Sequence, residues 1–331
     1  MAGRFVPRTT AVPHQQHAAD ASAPSRERTW TPPGPLDLRL VLSPLRRGPA
    51  DPTYRALSDG SFWRATRTPA GPGTLRVTAA RDGRIEAAAW GSGAQWLLDR
   101  LPALLGEGDD PGAFRPRHRL VAATQHSRPG LRLLRTGLVM ESLIPSILEQ
   151  KVTTDEAYRA WRLLVRRYGT PAPGPTNALF GAHGLYVMPD ARTWSLIPSW
   201  EWHRSGVDAK RATTILRAVR VARRMEEAAA MELPEAMARL ELIPGIGPWT
   251  AAETLQRSNG AADAITVGDL HLPGIVGHAL AGNRNADDEE MLALLAPYEG
   301  QRHRATRLIM LSGHIPPRRA PRMTPGDIAR L

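Results

Sequence analysis

Leu240-Glu241-Leu242-Ile243-Pro244-Gly245-Ile246-Gly247-Pro248-Trp249-Thr250-Ala251-Ala252 is the stretch that decides the fold. A helix over about Pro234 to Leu240 runs into Pro-Gly-Ile-Gly, and a second helix starts at Pro248. Pro248 suits the first helical turn, where a missing N–H leaves nothing unsatisfied. Gly245 and Gly247 permit positive φ and leave the backbone unshielded. Several N–H groups therefore converge at a helix N-terminus, an arrangement that attracts anions. Ile246, between the glycines, is expected to point inward and staple the two helices together.

The next informative stretch is Ile265-Thr266-Val267-Gly268-Asp269-Leu270-His271-Leu272-Pro273. Asp269 lies 22 residues after Gly247, which leaves room for one helix (Trp249 to about Ser258) and a return loop. That length brings its carboxylate back near the hairpin, at the start of the following helix. Aspartate there is a good helix cap as well as a candidate catalytic group.

Together the two stretches resemble the helix-hairpin-helix DNA glycosylases, whose hairpin grips a DNA phosphate and is followed by a Gly/Pro-rich loop and an aspartate. The nearer resemblance is to the 3-methyladenine DNA glycosylase II branch. It extends through Arg128-Pro129-Gly130-Leu131-Arg132-Leu133, Ile144 to Gln150, and Val152-Thr153, and spans roughly residues 36–312. The fold implied is α+β and mainly α: a small N-terminal antiparallel-sheet domain followed by an all-helical glycosylase domain.

The resemblance implies excision of a damaged base from double-stranded DNA, with Asp269 as the catalytic carboxylate. It places Trp249, Glu253, Leu270 and Met310 around the base. Contacts to DNA fall to Gly245, Ile246, Gly247, Thr250, Gln150 and Lys151. No metal or organic cofactor is implied, although hairpin carbonyls are able to hold a monovalent cation. Bifunctional relatives carry a lysine two residues after the second hairpin glycine. Trp249 stands there, so a monofunctional enzyme is expected.

This chain departs from the branch at several matched positions. The alkylation-repair enzymes use aromatic rings to stack on electron-poor, often cationic bases. Trp249 fits that pattern, whereas Glu253, Leu270 and Met310 do not. Lys151 occupies the place of the apolar wedge that fills the gap left by a flipped base. Its methylene stem fills space and its ammonium meets phosphate. Alkylated bases are the first expectation. A glycosylase for deaminated or oxidised bases, and a non-catalytic DNA-binding protein that kept the hairpin, remain open.

Upstream of the hairpin, residues 1–30 lack periodicity and are expected to be disordered. Residues 31–110 are expected to form the α+β domain. Leu36 to Leu42 alternates apolar and polar residues, as a strand does. Leu75 to Ala79 does the same, and Arg81-Asp82-Gly83-Arg84 supplies a hairpin turn before Ile85 to Trp90. A helix from Gln95 through Leu105 should cover the sheet. Residues 111–315 are expected to be helical. Thr153 and Glu156 form a capping box ahead of the stripe Ala157, Trp161, Leu164, Val165, Tyr168. Another helix carries Ala212, Ile215, Leu216, Val219 and Ala222 on one face, with Arg211, Arg217, Arg220, Arg223 and Arg224 on its other sides. Trp161, Trp194, Trp200 and Trp202 are expected in the core or an interface. Residues 316–331 read as a basic tail.

Composition agrees with a polyanionic partner. The 331 residues carry 43 Lys+Arg against 32 Asp+Glu, a formal net charge of +11, and arginine dominates the basic groups. Guanidinium forks suit phosphate. The absence of cysteine excludes disulfides, thiolate zinc sites and cysteine-ligated clusters. His271 and His278, seven apart, lack the partners to complete a metal site. No stretch approaches the roughly 18 apolar residues of a membrane span, and Met1 to Pro13 has no apolar core of a signal peptide. A cytoplasmic monomer is the expectation.

Overall fold

The computed structural model of the chain describes residues 26–181 and 184–317. An antiparallel sheet comes first, with strands β1 (Arg26–Trp30), β2 (Tyr54–Ala56), β3 (Phe62–Thr68), β4 (Gly71–Ala79) and β5 (Ile85–Trp90). Its spatial order is β1-β5-β4-β3-β2. Along β4 the alternation holds, with Leu75 and Val77 buried and Arg76 exposed. Gly83 takes φ +83° in the turn to β5.

Three expectations for this region are corrected. Residues 26–30 are not part of a disordered tail: β1 pairs antiparallel with β5 in the register Arg26 to Ala89. The rest of that tail, residues 1–25, lies outside the described residues, as does 318–331 of the basic tail. Second, Leu38–Leu42 is a helix, α1, rather than a strand. Asp37 decides this, because its Oδ1 accepts from the N–H groups of Arg39 and Leu40 at 2.9 and 3.0 Å. That cap starts a helix, and Leu38, Val41 and Leu42 then share its buried side. Third, the covering helix is broken at Arg100 into α2 (Ala94–Asp99) and α3 (Leu101–Leu104), with Pro102 in the first turn of the second piece.

The helical region begins with α4 (Arg119–Ser127), α5 (Val139–Leu148) and α6 (Thr154–Tyr168). A ribbon of β6 (Thr170–Pro171) and β7 (Tyr186–Val187) flanks α7 (Thr176–Phe180). Short α8 (Ala191–Ser195) and α9 (Ser199–Arg204) lead to α10 (Ala209–Arg220), α11 (Ala222–Glu226) and α12 (Leu233–Glu241). Then come α13 (Pro248–Ser258), α14 (Leu272–Ala281), α15 (Asp288–Leu295) and α16 (Arg302–Leu311). The capping box forms at α6, with Glu156 Oε2 2.8 Å from the Thr153 N–H.

Two apolar cores hold these helices. One gathers Leu143 and Ile147 of α5, Leu164 of α6, Ile215 of α10 and Leu255 of α13. The other gathers Ile265, Val276 of α14, Met291 of α15 and Leu308 of α16. α13 belongs to the first and α14 to the second, so the segment between them crosses from one core to the other. Trp161, Trp194 and Trp202 are buried, whereas Trp200 is 68% exposed and is neither core nor covered. Arg211 is also corrected: it is buried, not on a solvated side. The stripe ends earlier than expected, since Ala222 starts α11.

Candidate active site

The hairpin joins α12 to α13 as expected. Ile246 is 5% exposed and sits in the first helical core. Gly245 has φ +105°, and a Cβ there would lie 2.2 Å from Thr214 Oγ1 of α10. Only glycine fits both demands. Gly247 differs from expectation: its φ of −115° and ψ of −176° are extended backbone open to any residue. A Cβ at Gly247 meets nothing within 4 Å, so what glycine leaves there is open approach to the backbone.

Among the described residues, the backbone N–H groups of Gly245, Gly247 and Trp249 meet no acceptor. Gly247 is the N-cap of α13 and Trp249 lies in its first turn, where a helix leaves its donors free. Four hairpin carbonyls are engaged, Gly247 O by the Ala251 N–H at 3.0 Å and three others. Ile243 O accepts from the Ile246 N–H, Pro244 O from Arg217 Nη1 at 3.1 Å, and Gly245 O from Gln150 Nε2 at 2.9 Å.

Gln150 also donates from Nε2 to Thr250 Oγ1 at 2.8 Å, so the end of α5 is tied to both sides of the hairpin. Two arginines fix that end further. Arg211 Nη1 donates to Leu148 O at 2.8 Å, and Arg47 pairs with Glu149 at 2.7 Å. Next in the chain stands Lys151, exposed, with φ +53°. Among the described residues it is the one non-glycine with positive φ. A lysine holds that conformation because the residues before it are over-determined. Sequence reasoning missed Arg211 and Arg47, whose roles depend on contacts 63 and 102 residues distant.

Asp269 sits in the turn entering α14. Its Oδ1 accepts from the N–H groups of His271 and Leu272, both at 2.8 Å. Its Oδ2 accepts from Trp249 Nε1 at 2.9 Å. Three donors therefore fix the carboxylate across the gap between the two cores. Gly268, at φ +84°, makes the bend that delivers it, and its N–H is held by Asp288 Oδ2 at 2.9 Å.

The other expected pocket residues are not gathered into an aromatic cage. Leu270 is 86% exposed and Met310 49% exposed. Glu253 is neither solvated nor free: its Oε2 pairs with Arg257 Nη1 at 2.7 Å. Arg257 in turn donates from Nε to Pro44 O at 2.9 Å. Arg307 of α16 reaches the same N-terminal segment, with Nη2 3.1 Å from Leu40 O. Burial, together with the neighbouring Arg257, lowers its guanidinium pKa to about 10, against the opposing pull of Glu253. His303, buried one turn earlier, is held neutral well below the usual imidazole range by burial and by Arg307, Arg257 and Arg304. None of these helix-borne arginines was singled out in the sequence, because an i, i+4 pair of Glu253 and Arg257 reads as a solvated face.

Among the described residues no group of three or more His, Cys, Asp or Glu is placed to hold a metal ion. None of the described helices is long and apolar enough to cross a membrane.

Comparison with solved structures bears on this geometry. A 3-methyladenine DNA glycosylase from Archaeoglobus fulgidus superposes with a TM-score of 0.68, covering 86% of this chain and 98% of that one at 15% identity. MBOgg1, solved with a low-affinity DNA ligand, gives 0.65, with 84% and 92% covered at 16% identity. The chain has the fold of the helix-hairpin-helix DNA glycosylases. An 8-oxoguanine glycosylase/lyase from Clostridium acetobutylicum, in complex with double-stranded DNA containing cytosine opposite 8-oxoguanine, shares this glycosylase fold. It gives a TM-score of 0.64, with 83% and 91% covered at 12% identity. No protein-family model and no curated protein matches the sequence.

Proposed function

We propose that the protein is a monofunctional DNA glycosylase that removes a damaged base from double-stranded DNA and leaves an abasic site. The observation that carries this is the Asp269 carboxylate, fixed by three N–H donors beside a hairpin with free backbone donors. A base within the stack is out of reach, so it is flipped out, at a cost that damage lowers. The bond between C1′ and the base nitrogen breaks, and its electron pair leaves with the base. Positive charge develops on the sugar, where a carboxylate that is already in position stabilises it without reorganising. Water adds to C1′ and its proton passes to Asp269 or to solvent.

No amine stands at the covalent position. Trp249 occupies it, and the chain has only two lysines, Lys151 and Lys210, neither of them on α13. Lys151, displayed after the anchored end of α5, fills the space of the flipped base. DNA is gripped by the free N–H groups of the hairpin, and no cofactor enters the step.

The branch resembled favours an alkylated base, and Trp249 is the residue that supports it. A second reading, a deaminated or oxidised base, is favoured by Glu253 and Arg257 one and two turns beyond Trp249. The test is base release from duplexes carrying alkylated, deaminated and oxidised bases, with and without borohydride. Release of free base with no borohydride-trapped adduct is expected. A trapped adduct would contradict the monofunctional step, and duplex binding without release would leave a binding protein.

A further inference from the structure

A cavity of about 240 Å³ opens between the end of α4, the segment that follows it, and α16. Leu131, Arg304 and Leu308 form its buried floor, Gln125 and partly buried Arg132 line its side, and Arg128 stands at the exposed rim. That volume is far above the roughly 10–15 Å³ that one water needs. The cavity is remote from the hairpin. Thr136 and Gly137, shortly after Arg132, donate to Arg257 O at 3.0 Å and Ser258 O at 2.8 Å, and His303, next to Arg304, donates to Ala262 O at 2.8 Å. Both walls are thereby tied to the end of α13 opposite the hairpin, about 16 Å along the helix.

Three guanidiniums line this cavity and no carboxylate does. Arg304, 2% exposed, donates from Nε to Gln301 Oε1 at 2.6 Å and from Nη2 to Asp109 Oδ1, so its Nη1 has no acceptor among the described residues. The guanidiniums of Arg128 and Arg132 bond nothing among the described residues. Asp109 has no oxygen left for them, because its Oδ2 accepts from the Leu133 N–H at 2.9 Å. Glu107 and Asp110, which precede the wall at Pro111, are partnered with no guanidinium among the described residues and are exposed. Burial lowers the Arg304 pKa from the usual arginine value, opposed by Asp109 and reinforced by Arg132. A buried guanidinium with donors to spare, beside two arginines that no carboxylate meets, leaves positive charge for an anion to neutralise.

We infer that this cavity is a binding site for a phosphate group, carried by inorganic phosphate or by a mononucleotide, with Arg128, Arg132 and Arg304 as its donors. Guanidinium forks match phosphate oxygens in both geometry and charge. A tetrahedral group with several free oxygens also answers donors that arrive from separate side chains, as a flat carboxylate does not. The apolar floor of Leu131 and Leu308 lowers the local dielectric in which these bonds form. The site is distinct from the phosphate grip at the hairpin and does not depend on the glycosylase reading.

The experiment titrates the full chain calorimetrically, at low ionic strength, with inorganic phosphate, adenosine monophosphate and adenosine. Wild type is compared with Arg128→Gln, Arg132→Gln, the double variant and Gly247→Ala. Arg304 is left in place because its pairing with Asp109 belongs to the fold. Wild type is expected to bind a phosphate-bearing probe at a site that each glutamine substitution weakens by about tenfold or more. Gly247→Ala, at the hairpin, should leave that site unchanged, and adenosine should not compete for it. Inorganic phosphate bound at least as tightly as the monophosphate identifies the free ion as ligand, and a tighter monophosphate identifies a nucleotide; either result supports the site. Neither substituted arginine has a protein partner among the described residues, so Tm without ligand should be unchanged in the glutamine variants. Exposed Arg128 carries the test if Arg132→Gln does not fold. No binding of either phosphate probe by wild type, equal binding by wild type and the folded glutamine variants, or a loss confined to Gly247→Ala would overturn the inference and leave the glycosylase reading untouched.

Discussion

The indole N–H of Trp249 donates to the Asp269 carboxylate at 2.9 Å, linking the first turn of α13 to the turn that enters α14. The two helices belong to different apolar cores. Trp249 therefore positions the carboxylate, whatever its ring contributes to the base. Trp249→Phe keeps the ring and deletes the donor. Base release should fall about tenfold, the scale of one charge-assisted hydrogen bond, with duplex binding retained. Unchanged release would show that the hydrogen bond does not position Asp269.

Gly245 is demanded twice, by its positive φ and by Thr214 beneath it. Gly245→Ala should destabilise the protein by roughly 1–3 kcal/mol and weaken duplex binding more than it lowers Tm. Gly247→Ala meets neither constraint. It should leave Tm nearly unchanged while weakening binding, because its methyl group intrudes where phosphate approaches. Equal loss of Tm in the two variants would contradict this division, which thermal melting and binding titrations measure directly.

Lys151 sits at φ +53° immediately after a segment held by Arg211, Arg47 and Gln150. A left-handed L-residue costs about 1–2 kcal/mol. Lys151→Gly should recover about 1 kcal/mol of stability and at the same time slow base release, as expected if the side chain fills the gap behind a flipped base. Denaturant unfolding and single-turnover release together check this. A gain in stability with unchanged release would assign Lys151 no part in the reaction.

The hairpin and Asp269 were legible because local chemistry dictates them: proline at a helix start, glycine at a turn, and a loop length that returns a carboxylate to the hairpin. The helix at Leu38–Leu42 was not legible from its alternating leucines. The decision lay in the Asp37 side chain, whose cap outweighed a pattern only a few residues long. Long-range partners were hidden for a different reason. Arg257 and Arg307 read as ordinary surface arginines until the fold brings the carbonyls of Pro44 and Leu40 to them, 213 and 267 residues away in sequence. Gly247 shows the reverse error, since its extended backbone has no need of glycine's freedom.

His303 gives a pH signature. Burial foremost, then Arg307, Arg257 and Arg304, hold its imidazole neutral in the folded protein, well below the usual 6.5. The unfolded chain takes up this proton as the pH falls below about 6.5, so stability is lost from there down toward the lower folded value. The slope is at most about 1.4 kcal/mol per pH unit, and above the unfolded value the group contributes none. His303→Gln should flatten the fall in Tm between neutral and mildly acidic pH. Identical profiles for the two proteins would remove His303 from the linkage.

Base release by wild type and Asp269→Asn, measured in parallel on duplexes carrying alkylated, deaminated and oxidised bases, tests the central claim most directly. Asparagine keeps the shape and one acceptor oxygen, which serves the α14 turn while its amide nitrogen no longer accepts from Trp249, and it loses the negative charge. Release by wild type, reduced in the variant by about 100-fold or more with duplex binding retained, is the predicted result. Release at the same rate by both proteins would contradict it and remove Asp269 from the chemistry.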